Sequence, residues 1–316
     1  MKKRILTTIL ALGLMASMIS GCGAEKSAET NSSTEVASGK YKFSVVLKTL
    51  NSEYWGQVAA GVKDAAAKYG VEYSLLGAPD ETNITDHVSK LESELTSKPQ
   101  VLITALLQES ETSTLARYPE VPVIFVDSNA EYPAKKAFIG TGNVAAGIKG
   151  GEYIGSKLKP GDKVLLVGGQ SGESTSEQRL EGFRTGLESK GITDIDVAYG
   201  GNVANVAMPY IEDALSRTPD LKAILSMNDD MAMGALQALK AAGRDDVLVL
   251  GFDATSAAVE AIAAGTMTAS IAQQPYLMGY QAIEQAIKVA DGEEIQVDQV
   301  VSVTVVDADN VEGYKK

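Results

Sequence analysis

The chain has 316 residues, a net charge of −13, one cysteine and one histidine, and it is long enough for two domains of ordinary size. An acidic chain does not suit nucleic-acid binding, which needs a basic face. One cysteine excludes an internal disulfide, and so little cysteine and histidine argues against thiolate catalysis, histidine zinc sites and Ser-His-Asp triads. We therefore expect no metal and no cofactor. His87, close to Asp86 and Glu92, is predicted to be an exposed helix residue.

The first 22 residues have the pattern of a secretory signal. A basic start at 2–4 precedes an apolar run at 5–19, which is too short and wrongly flanked for a stable spanning helix. The run ends in I-S-G-C at 19–22, which resembles a bacterial lipobox, whose cysteine is lipidated and becomes the mature N-terminus. We predict a signal peptide over 1–21 and lipidation of Cys22. The alternative is an ordinary signal peptide with an incidental cysteine.

Residues 22–40 are small and polar and show no apolar period. Such a segment buries too little surface to fold. We predict a lipidated tether that keeps the globular part at the outer face of the cytoplasmic membrane, with the lipid anchor as its only membrane contact.

From Lys42 onwards, short β-branched runs alternate with longer amphipathic segments. Most of the short runs are continuously apolar, which is typical of parallel strands buried on both faces. The predicted strands are 43–47, 72–76, 101–106, 121–126, 137–139, 163–167, 196–199, 223–226, 247–251 and 268–271. The predicted helices are 58–69, 84–95, 145–158, 176–189, 207–216, 230–241, 256–264 and 275–289.

This alternation predicts an α/β fold with two doubly wound parallel-sheet lobes, because the run of elements is too long for one compact sheet. The boundary is expected between Thr141 and Asn143. The alternative is a single TIM-type barrel. The phosphate-binding patterns GxxxxGK[ST] and GxGxxG do not follow any predicted strand.

Polar residues follow several predicted strands, at the edge of the sheet where ligands of open α/β folds bind. An aromatic pair, Tyr54 and Trp55, stands at the start of the first helix. Carboxylates, amides and an aromatic face suit a small polyhydroxylated ligand. Taken singly, each residue has another explanation as a helix cap, a core side chain or a solvated strand end. The strand-end candidates are Lys48, Asp127, Ser128, Asn228, Asp229, Asp253 and Gln273.

The segment VVLKTLNSEYW at 45–55 resembles the first strand and turn of ribose- and allose-binding proteins, which are type I periplasmic substrate-binding proteins of ABC importers. The resemblance runs from about Lys42 to Val306, with its motifs in the family's order. The further matching segments are VD at 126–127, RLEGF at 179–183, NDDMAMGAL at 228–236, GFD at 251–253 and IAQQP at 271–275.

The resemblance implies two lobes joined by three crossings, near 141–142, 273–274 and 302–303. The N-terminal lobe would comprise 41–141 plus 274–302, and the C-terminal lobe 142–273 plus 303–316. A monosaccharide would bind between the lobes and be delivered to an ABC permease. The positions that hydrogen-bond the sugar in that family correspond to Asp127, Arg179, Asn228, Asp253 and Gln273.

Other positions carry finer implications. Trp55 matches an aromatic that packs on the sugar ring, and Lys48 matches a lysine of the allose-type branch. The chain departs from the family at Asn202, where an aromatic is usual, at Ser52, where asparagine is common, and at Ser128, where the ribose branch has arginine.

The expected ligand is an allose- or ribose-like aldose. A polyol such as inositol, a nucleoside or a furanose signal molecule are the alternatives. Two other classes of protein fit less well: a glycosidase using carboxylates among Asp127, Glu177 and Asp253, and a sugar-responsive transcription regulator, which would need a DNA-binding motif before the lobes. We expect a binding protein without enzymatic activity. A monomer is expected, since no exposed apolar stripe stands out.

Overall fold

The computed structural model describes residues 39–315, so the predicted signal peptide, Cys22 and most of the predicted tether lie outside the described part of the chain. The strands are β1 (Tyr41–Thr49), β2 (Val71–Ala78), β3 (Val101–Thr104), β4 (Val123–Val126), β5 (Lys135–Thr141), β6 (Lys163–Gly168), β7 (Asp194–Tyr199), β8 (Leu221–Ser226), β9 (Leu248–Asp253), β10 (Ala269–Ala272), β11 (Asp298–Val301) and β12 (Thr304–Asp307). The helices are α1 (Glu53–Tyr69), α2 (Ile84–Thr96), α3 (Thr112–Leu115), α4 (Asn143–Gly155), α5 (Ser174–Glu188), α6 (Ala204–Arg217), α7 (Asp229–Ala241), α8 (Ser256–Ala263) and α9 (Pro275–Ala290).

The strands form two six-stranded sheets. The first has the order β11-β5-β4-β3-β1-β2, and all of its neighbouring strands are parallel. The second has the order β12-β10-β9-β8-β6-β7, and only its edge strand β12 is antiparallel. Two doubly wound lobes are therefore confirmed, and the single barrel is wrong. We call the lobe around the first sheet the N-terminal lobe and the other the C-terminal lobe.

The chain crosses between the two sheets three times. It passes from the first sheet to the second between β5 and α4, returns between β10 and α9, and crosses again between β11 and β12. The Gln274 side-chain amide donates to the backbone oxygen of Ser302 at 3.1 Å and to its hydroxyl at 2.9 Å, so two of the crossings are bonded to each other.

Each sheet carries helices on both faces, which is why its central strands are buried throughout. β3, β4 and β10 have every residue buried. In the N-terminal lobe one core lies under α1 and α9, and a second contains apolar residues of α2 and α3. In the C-terminal lobe one core lies under α6, α7 and α8, and the other under α4 and α5.

Glycines let the outer helices approach closely. A Cβ atom at Gly279 in α9 would lie 2.0 Å from the backbone oxygen of Val58 in α1, and one at Gly61 would lie 2.0 Å from that of Tyr276. Real Cβ atoms do not come this near to backbone, so α1 and α9 pack at a distance that only glycine permits.

Several features differ from the sequence predictions, among them the four-residue helix α3, which is not among the predicted helices. β11 and β12 are not among the predicted strands, because these four-residue edge strands are half exposed and lack a continuous apolar run. The prediction that His87 is exposed is wrong. His87 is fully buried, and its Nδ1 lies 3.0 Å from a carboxylate oxygen of the equally buried Glu111. Among residues 39–315, every helix is too short or too polar to cross a bilayer.

Candidate ligand-binding site

The carboxyl ends of the strands in the two lobes line a shared cavity of about 30 Å³. A larger groove, of about 750 Å³, lies on the outside of the C-terminal lobe near Val247, which directly precedes β9. That groove is at the amino ends of the strands, whereas ligands of open α/β sheets bind at the carboxyl ends. The inter-lobe cavity is therefore the candidate site.

Two capped helices bring part of the wall into place. Ser52 caps α1 by accepting a hydrogen bond from the Trp55 N–H at 3.3 Å, which sets Tyr54 and Trp55 in the first helical turn. Asn228 caps α7, since its Oδ1 accepts from the Met231 N–H at 2.9 Å. Its Nδ2 donates to the backbone oxygen of Asn202 at 3.0 Å.

Asp127 and Asp253 face the cavity from opposite lobes on unusual backbone. Their φ angles are 65° and 115°, and that of Ala254 is 52°. Non-glycine residues adopt such values at a cost, which is typical of functional sites. The Tyr54 hydroxyl donates to Asp127 Oδ1 at 2.5 Å. Gln273 Nε2 donates to Asp253 Oδ1 at 2.7 Å, and burial raises the pKa of Asp253 well above its usual value, although Arg179 opposes that change.

Two hydrogen bonds and a cation–π contact hold Arg179 in place. Its Nε donates to Asn143 Oδ1 at 2.8 Å, and its Nη1 donates to the backbone oxygen of Met227 at 2.7 Å. The guanidinium carbon lies 3.7 Å from the ring centroid of Phe252, a cation–π contact. Arg179 therefore presents a fixed cation at the cavity wall.

A polar cluster, buried except for the half-buried Glu81, joins the two lobes beside the cavity. It consists of Lys48, Trp55 and Glu81 from the N-terminal lobe and Glu173 and Asn202 from the C-terminal lobe. Lys48 pairs with Glu173, and both side chains are 2% exposed. Trp55 Nε1 donates to Glu81 at 2.7 Å, while Asn202 Nδ2 donates to Glu173 at 2.9 Å and to Glu81 at 3.1 Å.

The charges in this cluster shift each other's protonation. Burial raises the pKa of Glu81 to about 7, against the attraction of Lys48. Burial acts the same way on Glu173, but the attraction and hydrogen bond of Lys48 outweigh it and lower the pKa of that carboxyl. Burial opposes the charge on Lys48, and the neighbouring carboxylates more than compensate, so its pKa is raised. One lysine thus stabilises two carboxylates, the buried one of Glu173 and the half-buried one of Glu81.

The structure brings most of the predicted residues together. Ser128 and Asn202 are buried beside the cavity but are not part of its wall; the Ser128 hydroxyl lies behind Asp127 and donates to its Oδ2 at 3.2 Å. The predicted residues that line the cavity are Lys48, Tyr54, Trp55, Asp127, Arg179, Asn228, Asp253 and Gln273.

Sequence reasoning did not propose Glu81, Glu173, Thr175, Met227 or Asp230, which also line the cavity. Glu81 follows β2 by three residues, so the strand-end rule would have found it had the predicted strand extended to Ala78. Within residues 39–315, no group of histidine, cysteine and acidic side chains is arranged to hold a metal ion.

Comparisons with known proteins agree with this architecture. The profile of the family described as "Periplasmic binding protein domain" matches residues 43–294. The ribose import binding protein of Escherichia coli is 29% identical over 280 residues, which cover 85% of this chain and 92% of that protein. The D-allose-binding periplasmic protein of the same organism is 28% identical, over 87% of this chain and 89% of that protein.

A solved structure shows the same fold. The carbohydrate transporter solute binding protein from Agrobacterium radiobacter, in complex with D-arabinose, superposes with a TM-score of 0.81 at 25% identity. The match covers 87% of this chain and 99% of that one. With the family profile spanning most of both lobes and the strand-end residues gathered at one inter-lobe cavity, the chain belongs to the periplasmic binding protein family.

Proposed function

We propose that the protein captures an allose- or ribose-like aldose between its lobes and delivers it to an ABC permease. It acts as a solute-binding protein and not as an enzyme. The observation that carries the proposal is the inter-lobe cavity, which combines carboxylates, amides, a fixed arginine and two aromatic residues. That mixture matches the hydroxyl rim and apolar ring face of a sugar.

The working mechanism is a hinged clamp. The N-terminal lobe (41–141 plus 274–302) contributes Lys48, Trp55 and Asp127, and the C-terminal lobe (142–273 plus 303–316) contributes Arg179 and Asp253. A cavity of about 30 Å³ is smaller than a monosaccharide, so the lobes have to separate for entry and then re-form contacts around the sugar. The ligand favours the closed arrangement through contacts that exist only when both lobes touch it.

The cellular setting is part of the same proposal. The basic and apolar start, followed by I-S-G-C at 19–22, supports a signal peptide over 1–21 and a lipid on Cys22. The protein would then work as a monomer anchored at the outer face of the cytoplasmic membrane. Intact-mass measurement of protein from the membrane fraction tests this, because a Cys22→Ser variant should lose both the lipid mass and the membrane association.

A thermal-shift screen of the purified protein tests the ligand class. A ligand that binds only the folded state raises the melting temperature by mass action. The panel is D-ribose, D-allose, D-arabinose, myo-inositol and ribonucleosides. A shift with an aldose that disappears in an Asp127→Asn/Asp253→Asn variant supports the proposal. A shift with myo-inositol or a nucleoside alone would replace the aldose with that alternative, and a flat screen would contradict the proposed ligand class.

A further inference from the structure

Asp229, the first residue of α7, is fully buried, does not line the cavity and has no part in the clamp described above. Its carboxylate accepts two hydrogen bonds from outside its own helix. Oδ1 accepts from the Ser270 hydroxyl at 2.7 Å, and Oδ2 accepts from the Thr255 N–H at 2.7 Å. An acidic residue at the start of α7 interacts favourably with the helix dipole without either of these partners. Both partners belong to neighbouring segments of the sheet edge, so the two bonds have another role.

These bonds lead to the strained backbone at the end of β9. The Ser270 hydroxyl oxygen accepts from the Ala254 N–H at 3.0 Å. The N–H groups of Ala254 and Thr255 therefore both depend on Asp229, one through Ser270 and the other directly. The residues ahead of these two groups are the ones with positive φ, 115° at Asp253 and 52° at Ala254. Backbone of this kind persists only where the surroundings hold it.

The space for the carboxylate is made by a glycine. A Cβ atom at Gly251 would lie 2.1 Å from Asp229 Oδ1, so the chain leaves out a side chain where the carboxylate meets β9. Gly251 is paired in register with Ser270 on β10. Asp229, Gly251 and Ser270 thus form one layer directly beneath the turn that carries Asp253.

Burial of this carboxylate is costly, because it removes the charge from water and the like charge of Asp230 adds repulsion, which the hydrogen bonds from Thr255 and Ser270 only partly offset. Burial raises its pKa to about 7, against the bonds from Thr255 and Ser270. The cost of burying an acid without a compensating cation is explained if its hydrogen bonds fix the conformation of the neighbouring backbone.

We propose that Asp229 is a positioning residue that sets the direction of the Asp253 carboxylate. Asp229 directly follows Asn228, which also lines the cavity, so it links two residues of the cavity wall. This rests on the proposed function, in which Asp253 contacts the sugar. Of the two residues at this strand end, Asn228 would then face the ligand, and Asp229 would orient Asp253 at the end of a neighbouring strand.

Two readouts test this proposal, one of which needs no ligand. By amide hydrogen exchange, Asp229→Ala should accelerate exchange at Ala254 and Thr255 at least tenfold and leave Ile103, in the other lobe, unchanged. Ser270→Ala, which removes one link only, should accelerate Ala254 more than Thr255. Because Ser270→Ala is the milder change, it decides the question if Asp229→Ala fails to fold. Unchanged exchange at both amides would overturn the proposal.

The second readout is a double-mutant cycle with D-ribose and D-allose as titrants. Asp229→Ala should weaken binding at least tenfold in the wild-type background and less than twofold in an Asp253→Ala background, if it acts through Asp253. An equal loss in both backgrounds would show a merely structural role and overturn the proposal. If neither sugar binds the wild type, the proposed aldose is wrong, and the exchange experiment still decides the role of Asp229.

Discussion

Replacing Lys48 with methionine should open the cleft without unfolding either lobe. The substitution removes the cation shared by Glu81 and Glu173 while keeping an unbranched apolar side chain of similar length. It leaves the buried carboxylate of Glu173 and the half-buried carboxylate of Glu81, one from each lobe, bridged by the Asn202 amide. Because the two acids belong to different lobes, separation of the lobes returns them to water.

The magnitude follows from the burial of the pair. Removing one partner of a buried ion pair costs about 3–5 kcal/mol, since it leaves uncompensated charge in the interior. Lys48 and Glu173 are each 2% exposed, so this full range applies while the cleft is closed. At 1.36 kcal/mol per factor of ten, the closed form should lose roughly 10²–10⁴-fold against the open form. The free energy of unfolding should fall by much less, because the open form escapes the penalty.

Trp55 makes the change visible, because it is the chain's single tryptophan and is 2% exposed beside the cluster. Acrylamide quenching of its fluorescence should rise sharply in Lys48→Met, and the radius of gyration from small-angle X-ray scattering should increase. Lys222→Met is the matched control, because Lys222 pairs with Asp246 at the surface, where an ion pair contributes about 0–1 kcal/mol. Unchanged quenching, together with a loss of the full 3–5 kcal/mol in unfolding free energy, would refute the reasoning.

Three further predictions concern packing, pH and the ligand. Gly279→Ala should destabilise the N-terminal lobe by several kcal/mol in urea unfolding, because its Cβ would lie 2.0 Å from backbone of α1, whereas Gly56→Ala in α1 meets nothing and should stabilise by up to about 1 kcal/mol. The pKa of Glu81 is about 7 in the folded protein against 4.5 in the unfolded chain, so its contribution to stability is complete below pH 4.5 and is lost as the pH rises through 7. The melting temperature of Glu81→Gln should therefore depend less on pH over that range than that of the wild type. Asp253→Ala should weaken sugar binding by about 2–4 kcal/mol in calorimetry, because hydroxyl partners lose a buried acceptor.

Each of these has an outcome that counts against it. Equal stabilities for the two alanine variants would mean that α1 and α9 separate at little cost. An identical pH dependence of the melting temperature in wild type and Glu81→Gln between pH 4.5 and 7 would show that the pKa of Glu81 is not raised. Unchanged affinity in Asp253→Ala would remove that carboxylate from the binding site.

The fold was predictable because most strands are buried on both faces. Segments such as 101–103 and 164–167 are continuously apolar, and the structure places both in strands that have a neighbour on each side. β11 shows the limit of this signal: Asp298 and Val300 are exposed on an edge strand, so local sequence does not mark it as part of a sheet. Its place is decided by pairing with β5, more than 150 residues earlier.

The candidate site was predictable where a strand ends in a polar residue and difficult elsewhere. Asp127 and Asp253 stand at strand ends and were found by that rule. Glu81 follows β2 by three residues and Glu173 lies in a polar turn, and contact between the lobes half-buries the first and buries the second. His87 fails for a related reason: its sequence neighbours are charged, but its burial depends on Glu111, beyond the next strand. Periodicity carries no information about such distant partners.

The threefold crossing of the chain has a consequence for biosynthesis. The strands β1 to β5 of the N-terminal lobe are synthesised first. The sheet and the core of that lobe also contain β11 and α9, which come from the last fifth of the sequence. A nascent chain that has emerged only as far as Thr141 lacks the helix that covers α1 and the edge strand beside β5. The N-terminal lobe is synthesised first but cannot be completed until α9 and β11 have been made, because its long-range contacts form only then. Truncation near the C-terminus should therefore damage both lobes at once, including the one farther away in sequence.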